Sequence, residues 1–203
     1  MPSWPRPPWR APRQRDRKTL IFVLCGPGGV GKGSIARGLV GRLDNLVLSR
    51  SWTTRPRRPS ESDSDYRFST HQEFESAIAE GLFLEWARFN GEYYGTPKPT
   101  NQTGRDLLLE IDAQGAHSIR SLDREAVIFV VVAPDDEELR ARMRSRGDAA
   151  DQIERRIQLS HEEVALARQV SDFEVVNTDL DEAIEFVAAT IEHCRSSRGR
   201  SSL

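Results

Sequence analysis

The stretch "CGPGGVGKGSI", from Cys25 to Ile35, carries the spacing G-x-x-x-x-G-K between Gly26 and Lys32. Gly26, Gly28, Gly29 and Gly31, with Pro27 and Val30 between them, let backbone N–H groups converge on phosphate oxygens. The lysine adds a compact positive charge for the outer phosphates. The pattern expects Ser or Thr directly after the lysine, as a hydroxyl for magnesium. Gly33 stands there instead, and Ser34 lies one residue on, about 100° further round a helix. The expected chemistry is the binding of a nucleoside triphosphate, with the metal reached through waters and phosphates and not by a direct side chain.

Four further clusters carry chemistry. In "SWTTRPRRPSESDSDYRF", Ser51–Phe68, Arg55, Arg57 and Arg58 sit among prolines, with hydroxyls at Ser51 and Tyr66. Clustered guanidinium groups suit a phosphate dianion; taken alone, the run also fits a solvated loop. In "LEWARFNGEYYGT", Glu85 and Trp86 alternate across a strand, so one of them turns inward. A carboxylate in a cleft suits the paired N–H donors of guanine, which adenine lacks, although an exposed strand acid fits the same letters. In "LLLEID", Glu110 and Asp112 share a face at the end of a buried strand. Open α/β sheets form their ligand crevice at that end, so a metal-water or nucleotide role fits; alternatively Asp112 caps the helix beginning "AQGAHSIR". Last, Arg140, Arg142, Arg144 and Arg146 precede Arg155 and Arg156. Arg142 and Arg146 share a helix face, suited to anions or simply to solvent. Gly147 and the polar stretch to Gln152 read as a hinge in a lid over phosphates.

The elements that must position these residues show in the apolar pattern. "TLIFVLC" is a continuous apolar run, suited to a strand buried on both faces. "NLVLS", "RDLLLEID", "AVIFVVVAP" and "DFEVVN" supply four more strands. Between them run helices with readable ends: Thr70 with Glu73 as a capping box, Gly81 as a stop, Asp135 after Pro134, and Thr178 with Asp181. Strands alternating with helices predict an α/β fold with a parallel, doubly wound sheet. From Ser51 to Tyr94 the rhythm changes to short alternating runs, with Asn90-Gly91 as a hairpin turn. A small β-rich insertion is expected there.

The composition permits this. The 203 residues are 37% hydrophobic and 30% charged, with a net charge of −2, enough for one domain with small insertions. Residues 1–18 hold five of the eleven prolines and six basic residues against Asp16 alone. They read as a disordered basic arm, solvated or weakly touching an anionic surface or nucleic acid. Residues 195–203 read as a disordered tail. No apolar run nears the ~18 residues of a membrane span, no signal peptide is evident, and two distant cysteines suit the cytoplasm.

In order along the chain, "TTRPRR", "FLEWARFNGEYYGT", "LEIDAQGA" and "VVNTDLDEA" closely resemble the guanylate kinase family over about residues 19–194. The resemblance implies a P-loop five-stranded parallel sheet flanked by helices, with core 19–50 and 105–194. It also implies a nucleoside-monophosphate-binding insertion at about 51–96 and a helical lid at about 142–156. It implies transfer of phosphate from ATP to GMP, and to dGMP, with Mg2+, in purine nucleotide metabolism. Ser51, Arg55, Arg58 and Tyr66 would hold the GMP phosphate. Glu85 and Thr96 would read guanine, with Asp112 assisting and Tyr94 and Glu110 in the same pocket. Gly26 to Ser34 would hold ATP, Asn177 would approach its adenine end, and Lys32, Arg142, Arg146 and Arg156 would surround the transferring group. Three departures stand out. Gly33 replaces the family's usual Ser or Thr, the Arg55–Tyr66 segment is about one residue short, and the connection from Thr96 to Glu110 is about four residues short. A kinase with another phosphorylated acceptor and a non-catalytic binding module are the alternative readings.

Overall fold

A computed structural model describes residues 19–58, 61–89, 91–99 and 104–200 of the chain. The basic arm over 1–18, Asn90, the 100–103 part of the connection and residues 201–203 lie outside the described residues. Strand β1 (Ile21–Cys25) leads through the loop into α1 (Lys32–Arg42), and then to β2 (Leu46–Leu48). The second half adds β7 (Asp106–Glu110), α3 (Ala113–Leu122), β8 (Val127–Val132), α4 (Asp136–Ser145), α5 (Ala150–Arg168), β9 (Phe173–Val176) and α6 (Leu180–Arg200). The five strands form one sheet in the order β2-β7-β1-β8-β9, and every pairing is parallel.

The apolar runs divide by the period of two of a strand. Phe22 and Leu24 face the cluster of Ile35, Leu39, Val187 and Ile191 from α1 and α6. Val23 and Cys25 face Ala113, Ala116, Ile119 and Ala167 from α3 and α5. A sheet covered on both faces needs continuous apolar strands, which is why "IFVLC" contains no polar residue. Burial pushes the Cys25 thiol up to about 12, against the opposing pull of Lys32.

A second sheet, in the order β4-β3-β6-β5, lies within the stretch expected as an insertion. Its strands are β3 (Trp52–Thr53), β4 (Arg67–Phe68), β5 (Phe83–Phe89) and β6 (Glu92–Pro97). Helix α2 (His71–Ala79) starts with the expected capping box from Thr70 and Glu73, and Gly81 follows it with φ 65°. Phe74 stacks between Phe83 and Tyr93, giving this unit a small aromatic core of its own.

The C-terminal helix differs from the sequence expectation at both ends. Its first N–H groups, from Asp181 and Glu182, are accepted by Asp179 Oδ1 at 2.9 and 3.0 Å, so Asp179 and not Thr178 opens it. The helix also continues past residue 194 to Arg200. Arg195 Nε donates to the buried Asp106 Oδ2 at 2.8 Å, while Asp106 Oδ1 accepts from Leu20 N at 3.0 Å. One carboxylate thus fastens α6 to the start of β1 and β7.

Candidate active site

At the C-terminal edge of the parallel sheet, a cleft of about 770 Å³ separates the P-loop from the second sheet. Gly26 turns out of β1 with φ 129°, and a Cβ there would stand 2.3 Å from Val131 O. Gly31 precedes α1 with φ 96°, a left-handed conformation that suits glycine. No side chain caps α1, which leaves its positive end for an anion. Lys32 Nζ lies back on its own loop, donating to Gly26 O at 2.6 Å and Pro27 O at 3.0 Å.

Gly33 shows why its place can lack a hydroxyl. A Cβ at this position would lie 3.2 Å from Glu110 Oε2 and 3.4 Å from Oε1. The end of β7 therefore presents a carboxylate where the position-33 side chain would begin. Glu110 lines the cleft and stands against the first turn of α1. Burial raises its pKa, opposed by Lys32 and Arg37.

Across the cleft, the hairpin of β5 and β6 pairs Glu85 with Thr96. Glu85 is only 7% exposed whereas Trp86 is 45% exposed, so the inward member of the alternating pair is the acid. Thr96 Oγ1 donates to Glu85 Oε1. Burial pushes the Glu85 carboxyl up to about 7, a shift the Thr96 hydroxyl opposes and the nearby Asp112 reinforces. Asp112 caps α3 by accepting from Gly115 N at 2.8 Å, and it also lines the cleft. The capping reading of this residue holds, and the same carboxylate faces the cleft. A Cβ on Gly115 would lie 3.1 Å from Glu85 Oε2, so the start of α3 packs directly on the acid.

Further along this wall a guanidinium pair surrounds Glu61, an acid the sequence did not single out. Arg55 donates through Nη1 and Nη2 to its two oxygens at 3.0 and 2.8 Å. Arg58 donates through its backbone N–H at 2.8 Å and Nη1 at 3.2 Å. Arg55 also lies 5.6 Å from the centre of the Tyr66 ring, and Tyr66 meets Tyr94 edge-on. Burial, and then the guanidiniums of Arg55 and Arg146, lower the Arg58 pKa. This crowding of positive charge needs an anion.

From the other wall, Arg142 donates to Glu138 at 2.8 Å, Asn177 O at 2.8 Å and Val30 O at 3.3 Å. Arg146 and Arg156 converge on Asp148, a second acid not singled out in the sequence. Arg140 pairs outward with Glu154 and Arg144 with Glu137, so for these two the solvated reading holds.

The lining includes Gly26, Pro27, Gly28, Gly29 and Gly31 to Ser34 from the loop, and Ser51, Arg55, Arg58, Tyr66, Glu85, Tyr94, Glu110 and Asp112 opposite, with Arg142, Arg146 and Arg156. Three expected residues stand behind it. Val30 is a fully buried core residue whose carbonyl accepts from Asn177 and Arg142. Thr96 is fully buried and meets the cleft through its bond to Glu85. Asn177, expected towards the adenine end, donates through Nδ2 to Val30 O at 2.8 Å. A Cβ on Gly31 would be 2.4 Å from that same nitrogen, so Asn177 braces the loop from beneath.

A glycine-rich loop with its lysine faces a cluster of arginines and a buried acid across a single cleft, which fits what moving a phosphoryl group between two nucleotides requires. The fold and site define a P-loop nucleoside monophosphate kinase. A family model described as guanylate kinase matches residues 17–194. A guanylate kinase of Syntrophotalea carbinolica is 40% identical over 195 residues, 91% of each chain. One from Streptococcus agalactiae is 42% identical over 192 residues, covering 90% of this chain and 91% of the relative. The crystal structure of guanylate kinase from Anaplasma phagocytophilum superposes with a TM-score of 0.70 at 28% identity, covering 86% of this chain and 85% of that one. The chain belongs to the guanylate kinase family.

Proposed function

We infer that this cleft transfers the γ-phosphoryl group of ATP to GMP. The observation that carries this reading is Glu85, buried, oriented by Thr96 and adjacent to Asp112. Side-by-side carboxylates accept from N1–H and the exocyclic amine of guanine, and both donors are absent in that arrangement from adenine. dGMP is the second acceptor expected, since this recognition does not involve the ribose.

A phosphate oxygen of GMP attacks the γ-phosphorus; the bond from that phosphorus to the β–γ bridging oxygen breaks and ADP departs. Arg55 and Arg58, held around Glu61, receive the GMP phosphate. Lys32 leaves its own loop carbonyls for the β- and γ-phosphates, and Arg142, Arg146 and Arg156 offset the charge spread over the transferring group. No side-chain nucleophile is required. Magnesium bound with ATP would neutralise phosphate charge. The residues present fit it: Glu110 offers a buried carboxylate beside Gly33, suited to hold the ion's waters. Movement of the 51–96 unit and of the 142–156 lid would exclude water from the cleft.

Cytoplasmic residence is proposed, supported by the buried, unreactive Cys25 thiol; no helix among the described residues is long and apolar enough to cross a membrane. A coupled ADP-release assay with GMP, dGMP, AMP and UMP, with and without magnesium, tests the reading. Turnover with GMP and dGMP only, and only with magnesium, is expected; preference for AMP or UMP would refute the assignment of Glu85.

A further inference from the structure

Phosphoryl transfer as derived above gives the Asp148 carboxylate no task. The Asp148 side chain is 10% exposed and sits where α4 ends and α5 has not begun. Its Oδ2 accepts from both Arg146 Nη2 and Arg156 Nη1, the latter at 2.9 Å, and its Oδ1 accepts from Arg146 Nε at 3.3 Å. Burial works against its ionised form, and the charges of Arg146, Arg156 and Arg58 overcome that, holding its pKa below the usual carboxylate range.

A purely structural task does not account for this placement. The end of α4 is already closed by its backbone, with Gly147 N donating to Arg144 O at 2.9 Å and Asp148 N to Met143 O at 3.1 Å. Gly147 supplies the left-handed turn, with φ 87°. Among the described residues, the carboxylate accepts no backbone N–H. Its bonds go to the two guanidiniums only.

The edges used are informative. Asp148 takes the Nε and Nη2 edge of Arg146 and only Nη1 of Arg156. That leaves Arg146 Nη1, and Nε and Nη2 of Arg156, with no hydrogen bond among the described residues, on two side chains that line the cleft. Two like charges on separate helices repel each other at this range. A shared carboxylate removes that repulsion and fixes both planes while sparing donors for a phosphate.

We propose that Asp148 is a positioning residue that binds Arg146 and Arg156 into one unit, so that both reach the transferring phosphoryl group together. The proposal rests on the kinase reading above. It differs from a simple ion pair in predicting an effect on turnover and not on acceptor binding.

The test compares Asp148→Asn and Asp148→Glu with the wild type in the full chain, measuring kcat, KM for GMP and melting temperature. Wild-type turnover of GMP comes first, since its absence would refute the kinase reading itself. With that established, Asp148→Asn should lower kcat about 10- to 100-fold, the range that misplaced groups about 1 Å out produce. KM for GMP should stay within about twofold, well under the tenfold step that 1.4 kcal/mol would give, and the melting temperature should be unchanged. Asp148→Glu, which keeps the charge, should recover most of the lost kcat. Three outcomes overturn the proposal: unchanged kcat in the asparagine variant, a raised kcat showing that Asp148 competes with the phosphate, or a joint loss of kcat, GMP affinity and melting temperature.

Discussion

The acceptor and lid walls of the cleft each hold two arginines around one acid, but they hold them differently. Arg55, Arg58 and Glu61 lie within seven residues of one loop, and all the donors around Glu61 are supplied locally, including a backbone N–H. Arg55 and Arg57 also rest over the rings of Tyr66 and Phe68. Arg146, Arg156 and Asp148 instead join two helices across Gly147, with no ring stacked on them among the described residues. The Arg55–Arg58 cluster is therefore braced within one loop, whereas the Arg146–Arg156 pair is held across a turn by one side chain. Under the kinase reading, the GMP phosphate would meet a locally braced seat, while the charges around the transferring group would depend on Asp148.

The sharpest way to break this contrast is at the base of the acceptor pocket. Glu85→Gln places an amide against guanine's donors and should lower kcat/KM for GMP by about 10⁴. A variant with wild-type kcat/KM would remove Glu85 from the pocket. On the donor side, Lys32→Ala should lower kcat by about 10² to 10³ yet leave GMP binding by calorimetry nearly intact. Loss of GMP affinity in step with activity would mean that the two walls are not independent. Glu61→Gln removes charge-assisted bonds of about 1.5–3 kcal/mol each and should raise KM for GMP by about 10- to 100-fold with little change in kcat. A lowered KM would instead identify Glu61 as a competitor for the phosphate seat.

The smallest effect concerns pH. The Glu85 pKa is raised to about 7, and only the ionised form accepts from guanine. Guanosine, which has no titrating phosphate, should therefore lose affinity as pH falls through 7, about tenfold per unit below it. A pH-independent affinity between 5 and 8 would contradict the shift. The same shift means that the folded chain binds this proton more tightly than the unfolded chain between about 4.5 and 7. Deprotonating Glu85 thus costs stability as pH rises through that window.

What the sequence made legible was local. The β1 run, the capping box at Thr70 and the alternation of Glu85 with Trp86 each follow from the period of a single element, and each stands as read. What it hid depends on contacts between distant segments. In "SESDSD" the acids look interchangeable, and only the folded loop selects Glu61. Asn177 is 147 positions from Val30, so no spacing rule could place it under the P-loop. The polar "RSSRGR" has no apolar stripe, and its helix is anchored by Arg195 on Asp106, a partner 89 positions away. The closeness of Glu110 to Gly33 was likewise hidden, because strand periodicity gives a residue's face and not what packs above it.

Gly33 and Glu110 share one small volume, and that makes them a single unit of heredity as well as of structure. A Cβ at 33 would press within 3.2 Å of the Glu110 carboxylate, so a hydroxyl-bearing residue and a long acid crowd each other. Shortening the acid relieves this. Gly33→Ser and Glu110→Asp should each impair the enzyme alone and partly repair one another in combination, the non-additivity that a double-mutant cycle detects. The space at the start of α1 thus has two matched fillings, a short residue facing a long acid or a longer residue facing a short one.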